Sequence, residues 1–266
     1  MKTRYSKFKQ GLLMAFLGLI IIIALLFWFT TNKPTIKMYA LKKFPIPIVL
    51  VNFQPIFSSD FFDRLELIPL ESQTQNVKQS LIKQLIYEKR QEIVLTNHKV
   101  KSLNPTQFLE TNTNSQTSKL KLASLTKAKT DAYKFWFNSQ KELNTEAYEQ
   151  ANYILSELNH GANFDVLAKQ YSQDSYSKEL NGDLGYIDSK NLLFELKDPL
   201  LEAEINQVVL LASRKGLHII KIQNKKNETD KNMLYLKQIY VNTNSFADWI
   251  NNQSKQIKVF YLFDNL

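Results

Sequence analysis

Three short pieces, fixed in their order across residues 148–222, constrain this chain more than anything else in it. In the first, Ala147, Ala151, Ile154, Leu155 and Leu158 recur at the spacing of a helix that is buried along one stripe. Asn144 and Thr145 stand before it and can cap its first turn. Gly161 lies just past its end, where a left-handed residue without a Cβ closes a helix at least cost. A second short helix follows, with Phe164, Leu167, Ala168 and Tyr171 turned inward. In the second piece Gly182 and Gly185 bracket Asp183-Leu184, which reads as a tight turn into a strand near Tyr186. The third piece, Leu217, Ile219, Ile220 and Ile222 after Gly216, is a short β-rich run. Read bare, these pieces make a small α+β unit in which helices cover one face of a sheet.

Written out, the pieces are EAYEQANYILSELNHGANFDVLAKQYSQD, NGDLGYI and KGLHIIKI. In that order they resemble the parvulin family of peptidyl-prolyl cis–trans isomerases, over about a third of the chain. The resemblance implies a small antiparallel sheet covered by helices. It also implies an enzyme that needs no metal and no cofactor. Rotating an X–Pro bond breaks no covalent bond, since the barrier of about 18–20 kcal/mol is amide resonance. A protein lowers it by gripping the proline in an apolar pocket, drying the carbonyl and matching the twisted state. The scattered histidines His98, His160 and His218 and the absence of cysteine fit chemistry of that kind.

Carried over residue by residue, the resemblance implies catalytic roles for Asp174 in YSQD and His218 in GLHIIKI. It implies a proline pocket lined by Leu184, Leu192 and Phe194. Parvulins also carry a first histidine in a strand ahead of the first helix. Here that stretch is Tyr133-Lys-Phe-Trp-Phe, with Phe135 or Trp136 in the histidine's place and Phe135 as a further substrate contact. On this reading His218 lacks the partner that would fix its tautomer. Taken one at a time, the same residues have plain structural readings. His218 is then a core histidine, Asp174 a loop cap, and Leu192 and Phe194 ordinary core.

Residues 11–30, GLLMAFLGLIIIIALLFWFT, form an apolar run without a charge, matching the ~20 residues of one bilayer crossing. A cleaved signal peptide is the alternative, but its apolar part is usually about 7–15 residues and a small-x-small site should follow. The expected order is a basic cytoplasmic tail (1–10), a membrane anchor (11–30) and a linker (31–47). An N-terminal chaperone-like module (48–130), a parvulin domain (131–226) and a returning segment (227–266) complete it. The bulk of the chain would lie outside the cell membrane. The net charge of +9 is spread among acidic and amide residues, so a solvated surface near anionic lipid is favoured and nucleic acid is not expected.

Around the anchor, Phe44-Pro-Ile-Pro-Ile reads as a stiff extended spacer, residues 48–51 as a strand and 52–56 as a turn. Ser58 or Ser59 can cap a helix from Asp60, and 76–94 is helical in spacing. The order resembles the start of the N-terminal module of SurA- and PrsA-type foldases, where the turn usually has glycine at the place of Phe53. Residues 111–130 are polar and read as a mobile connection. In the tail, 234–241 alternates like a strand, 246–256 looks helical, and 259–263 is expected to pair with 48–51. Two functions follow: a membrane-anchored isomerase for secreted or envelope polypeptides with X–Pro bonds, or a weak or inactive parvulin-fold chaperone for unfolded chains. A structural envelope protein that docks a partner is a third.

Overall fold

The computed structural model describes residues 34–100, 104–109, 118–228 and 231–263. Its first half holds α1 (Pro34–Lys43), β1 (Pro47–Val51), β2 (Gln54–Phe57), α2 (Ser58–Leu65), α3 (Gln75–Asn97) and α4 (Ser118–Asn138). Next come α5 (Thr145–Asn159), α6 (Phe164–Tyr171), α7 (Ser175–Glu179), β3 (Asp183–Asp188), α8 (Phe194–Glu202) and β4 (Val208–Ala212). The chain ends with β5 (Leu217–Glu228), β6 (Lys231–Val241), α9 (Phe246–Gln253) and β7 (Val259–Tyr261). It divides into two compact units. One runs to Glu92 and takes the chain back from Ile257; the other is Ile93–Gln256.

In the first unit β1 and β2 form a hairpin whose loop residues, Asn52 and Phe53, both have positive φ (48° and 64°). Such a two-residue loop matches the twist of the flanking strands. For Phe53 the left-handed conformation costs about 1–2 kcal/mol, and its ring rests on Phe260 of β7, 5.7 Å between centroids. β7 pairs antiparallel with β1, Val49 opposite Tyr261 and Val51 opposite Val259, the expected partnership in a shorter form. The helix expected from Asp60 begins at Ser58. Asp60 accepts the Phe57 N–H at 3.0 Å. The buried Ser58 hydroxyl instead donates to the Phe44 carbonyl (2.8 Å) and accepts the Ile46 N–H (3.0 Å), tying down the proline-rich turn.

Two expected connections are helices. Residues 34–43 of the expected linker form α1, since nothing in TIKMYALKK breaks a helix, and extended chain is confined to 44–46. Residues 118–130 of the expected mobile stretch belong to α4, where Ala128 and Ala132, one turn apart, bury against Phe108. The same helix runs on through 133–137, so the expected strand there does not exist. Its aromatic residues satisfy a helical packing instead: Phe137 is fully buried against Phe246, and Trp136 packs on Trp249.

The second unit is built on an antiparallel sheet ordered β3-β6-β5-β4. Helices lie on both faces, not one. Ala147, Ala151 and Ile154 of α5 with Phe164 and Leu167 of α6 cover Leu217, Ile219, Ile239 and Val241. On the other face Leu196 and Leu200 of α8 cover Ile220, Ile222, Leu234 and Leu236. The segment 231–241, expected to return to the N-terminal module, is therefore an inner strand of this sheet; only β7 returns. Asn144 sits at the N-cap position of α5 without capping it. Its side chain donates to the Phe137 and Gln140 carbonyls and accepts the Asn244 N–H, joining the end of α4 and the turn after it to the segment that follows β6. Among the described residues no helix is long and apolar enough to cross a membrane; the run 11–30 lies outside them.

Candidate functional site

Alternation along β5 sends Leu217 and Ile219 into the α5–α6 side of the core and His218 to the opposite face, the one that α8 covers. There His218 sits between Leu211 of β4 and Tyr240 of β6, its two cross-strand neighbours. It is 5% exposed, so both ring nitrogens need partners inside the protein. Both have them. Nδ1 lies 2.8 Å from Gln238 Oε1 and Nε2 lies 2.7 Å from the Ser213 hydroxyl. Burial pushes the pKa of His218 below the usual 6.5; the Gln238 hydrogen bond and the charges of Glu195 and Asp174 act in the opposite sense.

Each partner is held by local structure. Ser213 opens the turn between β4 and β5; its N–H donates to the Gly216 carbonyl (2.8 Å) and its hydroxyl oxygen accepts the Lys215 N–H (2.9 Å). Arg214, next in that turn, is clamped from both sides. Its N–H donates to Glu195 Oε1 (2.8 Å), and its guanidinium reaches Asp131 of α4 at 3.0 Å. Gln238 is positioned by its own N–H, which donates to the Gly182 carbonyl at 2.7 Å. Gly182 has φ +83°, and a Cβ there would stand 2.7 Å from the Gln238 carbonyl oxygen and 2.9 Å from Ala168. That close approach explains the first glycine of NGDLG.

Asp174 does two things. It caps α7, accepting the Ser177 N–H (3.3 Å) and hydroxyl, and its charge is felt at both His218 and Tyr240. The chain just before it is stitched to the end of β6. Ser172 Oγ accepts the Tyr240 N–H (3.1 Å) and the Gln173 N–H donates to the Tyr240 carbonyl (2.8 Å). The Tyr240 ring lies 5.2 Å from that of His218, and burial raises its pKa, with Asp174 adding to the shift.

Leu184 and Leu192 are half-buried against the same α8-side core that His218 faces. Phe194 is 40% exposed and meets Phe108 edge-on, 5.7 Å between centroids. Phe135 also packs on that ring, tilted, at 5.8 Å, and the Arg214 guanidinium stands 5.5 Å from it. Phe194 and Phe135 thus belong to one aromatic group centred on Phe108, joined to the site through Arg214. Neither Phe135 nor Trp136 is the neighbour of His218; that place is taken by Gln238. Gln238, Ser213, Tyr240 and Phe108 lie in no motif that spacing singled out. A signal for the first was present: 234–241 is apolar on both of its alternating faces, which suits a strand sandwiched between two layers. Among the described residues no three His, Asp or Glu side chains gather as a metal site.

Residues 107–226 match a family described as the PPIC-type PPIase domain. The chain carries a parvulin-type domain. It is 40% identical over 78 residues to the foldase protein PrsA 2 of Bacillus cereus, covering 29% of this chain and 27% of that one. It is 24% identical over 117 residues to the chaperone SurA of Legionella pneumophila, covering 43% of this chain and 27% of that one. The chain thus matches about a quarter of the length of these relatives. A crystal structure of the peptidylprolyl isomerase PrsA from Bacillus anthracis aligns over 65% of this chain and 86% of its own, at 20% identity and a TM-score of 0.22. The parvulin match ends at 226, before β6 begins, so the strand bearing Gln238 and Tyr240 lies outside it.

Proposed function

We propose that the chain is a peptidyl-prolyl cis–trans isomerase acting on unfolded polypeptides at the α8-side face of its parvulin sheet. The observation that carries this reading is the buried, doubly hydrogen-bonded His218 beside Asp174, on the same face as Leu184 and Leu192. An apolar floor suits the prolyl ring, and a fixed polar row beside it suits an amide whose carbonyl loses conjugation as it twists. Phe194 extends that floor as an exposed aromatic wall. The apolar run 11–30 would anchor the protein in the cell membrane with these residues outside. A protease-coupled assay on an Ala-Pro peptide tests the reading. The whole chain should speed isomerisation, and His218→Ala and Asp174→Ala should each lower the rate at least tenfold, one factor of ten being about 1.4 kcal/mol of barrier. A chain with no effect on the peptide would refute it.

A second reading is favoured by one feature of the first unit. A cleft of about 460 Å³ has a largely apolar lining that includes Phe62, Leu65, Ile68 and Leu70, with Lys42, Glu66 and Gln73 among its walls and Leu70 82% exposed. Such a surface suits apolar segments of an unfolded chain, as a chaperone requires. Suppressed aggregation of an unfolded client without isomerisation, lost in Leu70→Asp, would mark this reading as the correct one.

A further inference from the structure

We infer that Ser213 and Gln238 act together as positioning residues that hold His218 in one neutral tautomer, with its proton on Nδ1. This rests on the isomerase reading only for its consequence in activity; the tautomer itself stands on the hydrogen bonds. Gln238 Oε1, 2.8 Å from Nδ1, can only accept, so Nδ1 is the donor. The Ser213 hydroxyl, whose oxygen also accepts the Lys215 N–H, then donates to Nε2, 2.7 Å away. Gln238 is oriented by its backbone bond to Gly182, and Ser213 by the turn that Glu195 and Asp131 clamp through Arg214.

The charged and titratable groups around the ring are Asp174 at the start of α7, Glu195 on α8, and Tyr240 on β6. Glu195 Oε1 is taken by Arg214, and Asp174 is taken by Ser177. Neither direct partner of the imidazole titrates near neutrality, because an amide and a hydroxyl flank it. With burial lowering its pKa below the usual 6.5, the ring stays neutral to lower pH than an exposed histidine does. The isomerisation rate should accordingly begin to change with acid at lower pH than the titration of an exposed histidine would give.

The test is long-range ¹⁵N–¹H correlation of the imidazoles in the whole chain, labelled with ¹⁵N-histidine in detergent micelles. His98 and His160 are identified by substitution. His218 should show a protonated Nδ1 and a bare Nε2 at neutral pH, and should titrate below the ordinary 6.5. Ser213→Ala should shift the Nε2 resonance by removing its donor and lower the isomerisation rate about 5- to 10-fold, one hydrogen bond's worth. Ser213→Thr should restore both. Gln238→Glu should charge the ring at neutral pH by placing a carboxylate against Nδ1. A proton on Nε2, a ring whose pKa in the wild-type chain is not below the ordinary 6.5, or a Ser213→Ala spectrum identical to wild type would overturn the inference. A chain with the expected spectrum but no turnover would uphold the tautomer and refute the isomerase reading instead.

Discussion

If β6 is an inner strand of the parvulin sheet, the domain cannot fold from the residues that match the family alone. Stopping the chain after Glu228 removes Leu234, Leu236, Ile239 and Val241, each 1% exposed or less and shared between the two cores. Burying such a side chain contributes about 1.5–3 kcal/mol, so the four together contribute roughly 6–12 kcal/mol. That is comparable with the whole stability of a domain, about 5–15 kcal/mol. It also leaves β5 and β3 without their common partner. Stopping the chain after Gln256 removes β7 but keeps β6 and α9 in the second unit. Differential scanning calorimetry of the two truncations and the whole chain separates these cases. The Gln256 stop should keep the melting transition of the second unit, and the Glu228 stop should lose it along with near-ultraviolet circular dichroism. A Glu228 stop that melts cooperatively at the wild-type temperature would refute the placement of β6.

Other outcomes follow from single contacts. Gly182→Ala puts a Cβ where the Gln238 carbonyl and Ala168 already stand, at φ +83°, and should cost about 2–3 kcal/mol in urea unfolding. Ser58→Ala removes the hydroxyl shared by the Ile46 N–H and the Phe44 carbonyl, which keep their 2.8 Å bond to each other, and should destabilise the first unit by about 0.5–1.5 kcal/mol on the same measurement. The lowered pKa of His218 means that the unfolded chain binds its proton more readily. Stability from this group is therefore full above about 6.5 and falls as pH drops below it. His218→Gln should lose less melting temperature than the wild type between about pH 7 and pH 5.

Much of the second unit was legible because its signals are local. The stripe of α5, the inward face of α6 and the GLHIIKI strand follow from periodicity, and motif spacing is what singled out Asp174 and His218 as candidates. The faults came from long-range choices. Aromatic residues at 133–137 favour strands by propensity, yet Ala128, Ala132 and Phe137 give α4 a buried stripe that tertiary packing rewards more. The strand at 234–241 was legible as a strand, but its partner was not. Nothing local says that a segment following the matched domain inserts between β3 and β5. With that partner unseen, His218 read as solitary, whereas Gln238 and Ser213 occupy both of its nitrogens. Polar composition likewise hid the helix beginning at Ser118, since small polar residues resemble a linker until their few apolar positions find a surface.

Turnover of an X–Pro bond beside His218 is the step on which the proposed function stands. Two-dimensional NMR exchange on a proline peptide measures this at equilibrium, without a coupling protease. Catalytic amounts of the whole chain should produce cross-peaks between the cis and trans forms, and these should vanish with His218→Ala while the variant keeps its melting temperature. Peptide lines that stay unexchanged with the folded wild-type chain, or cross-peaks undiminished in His218→Ala, would contradict it.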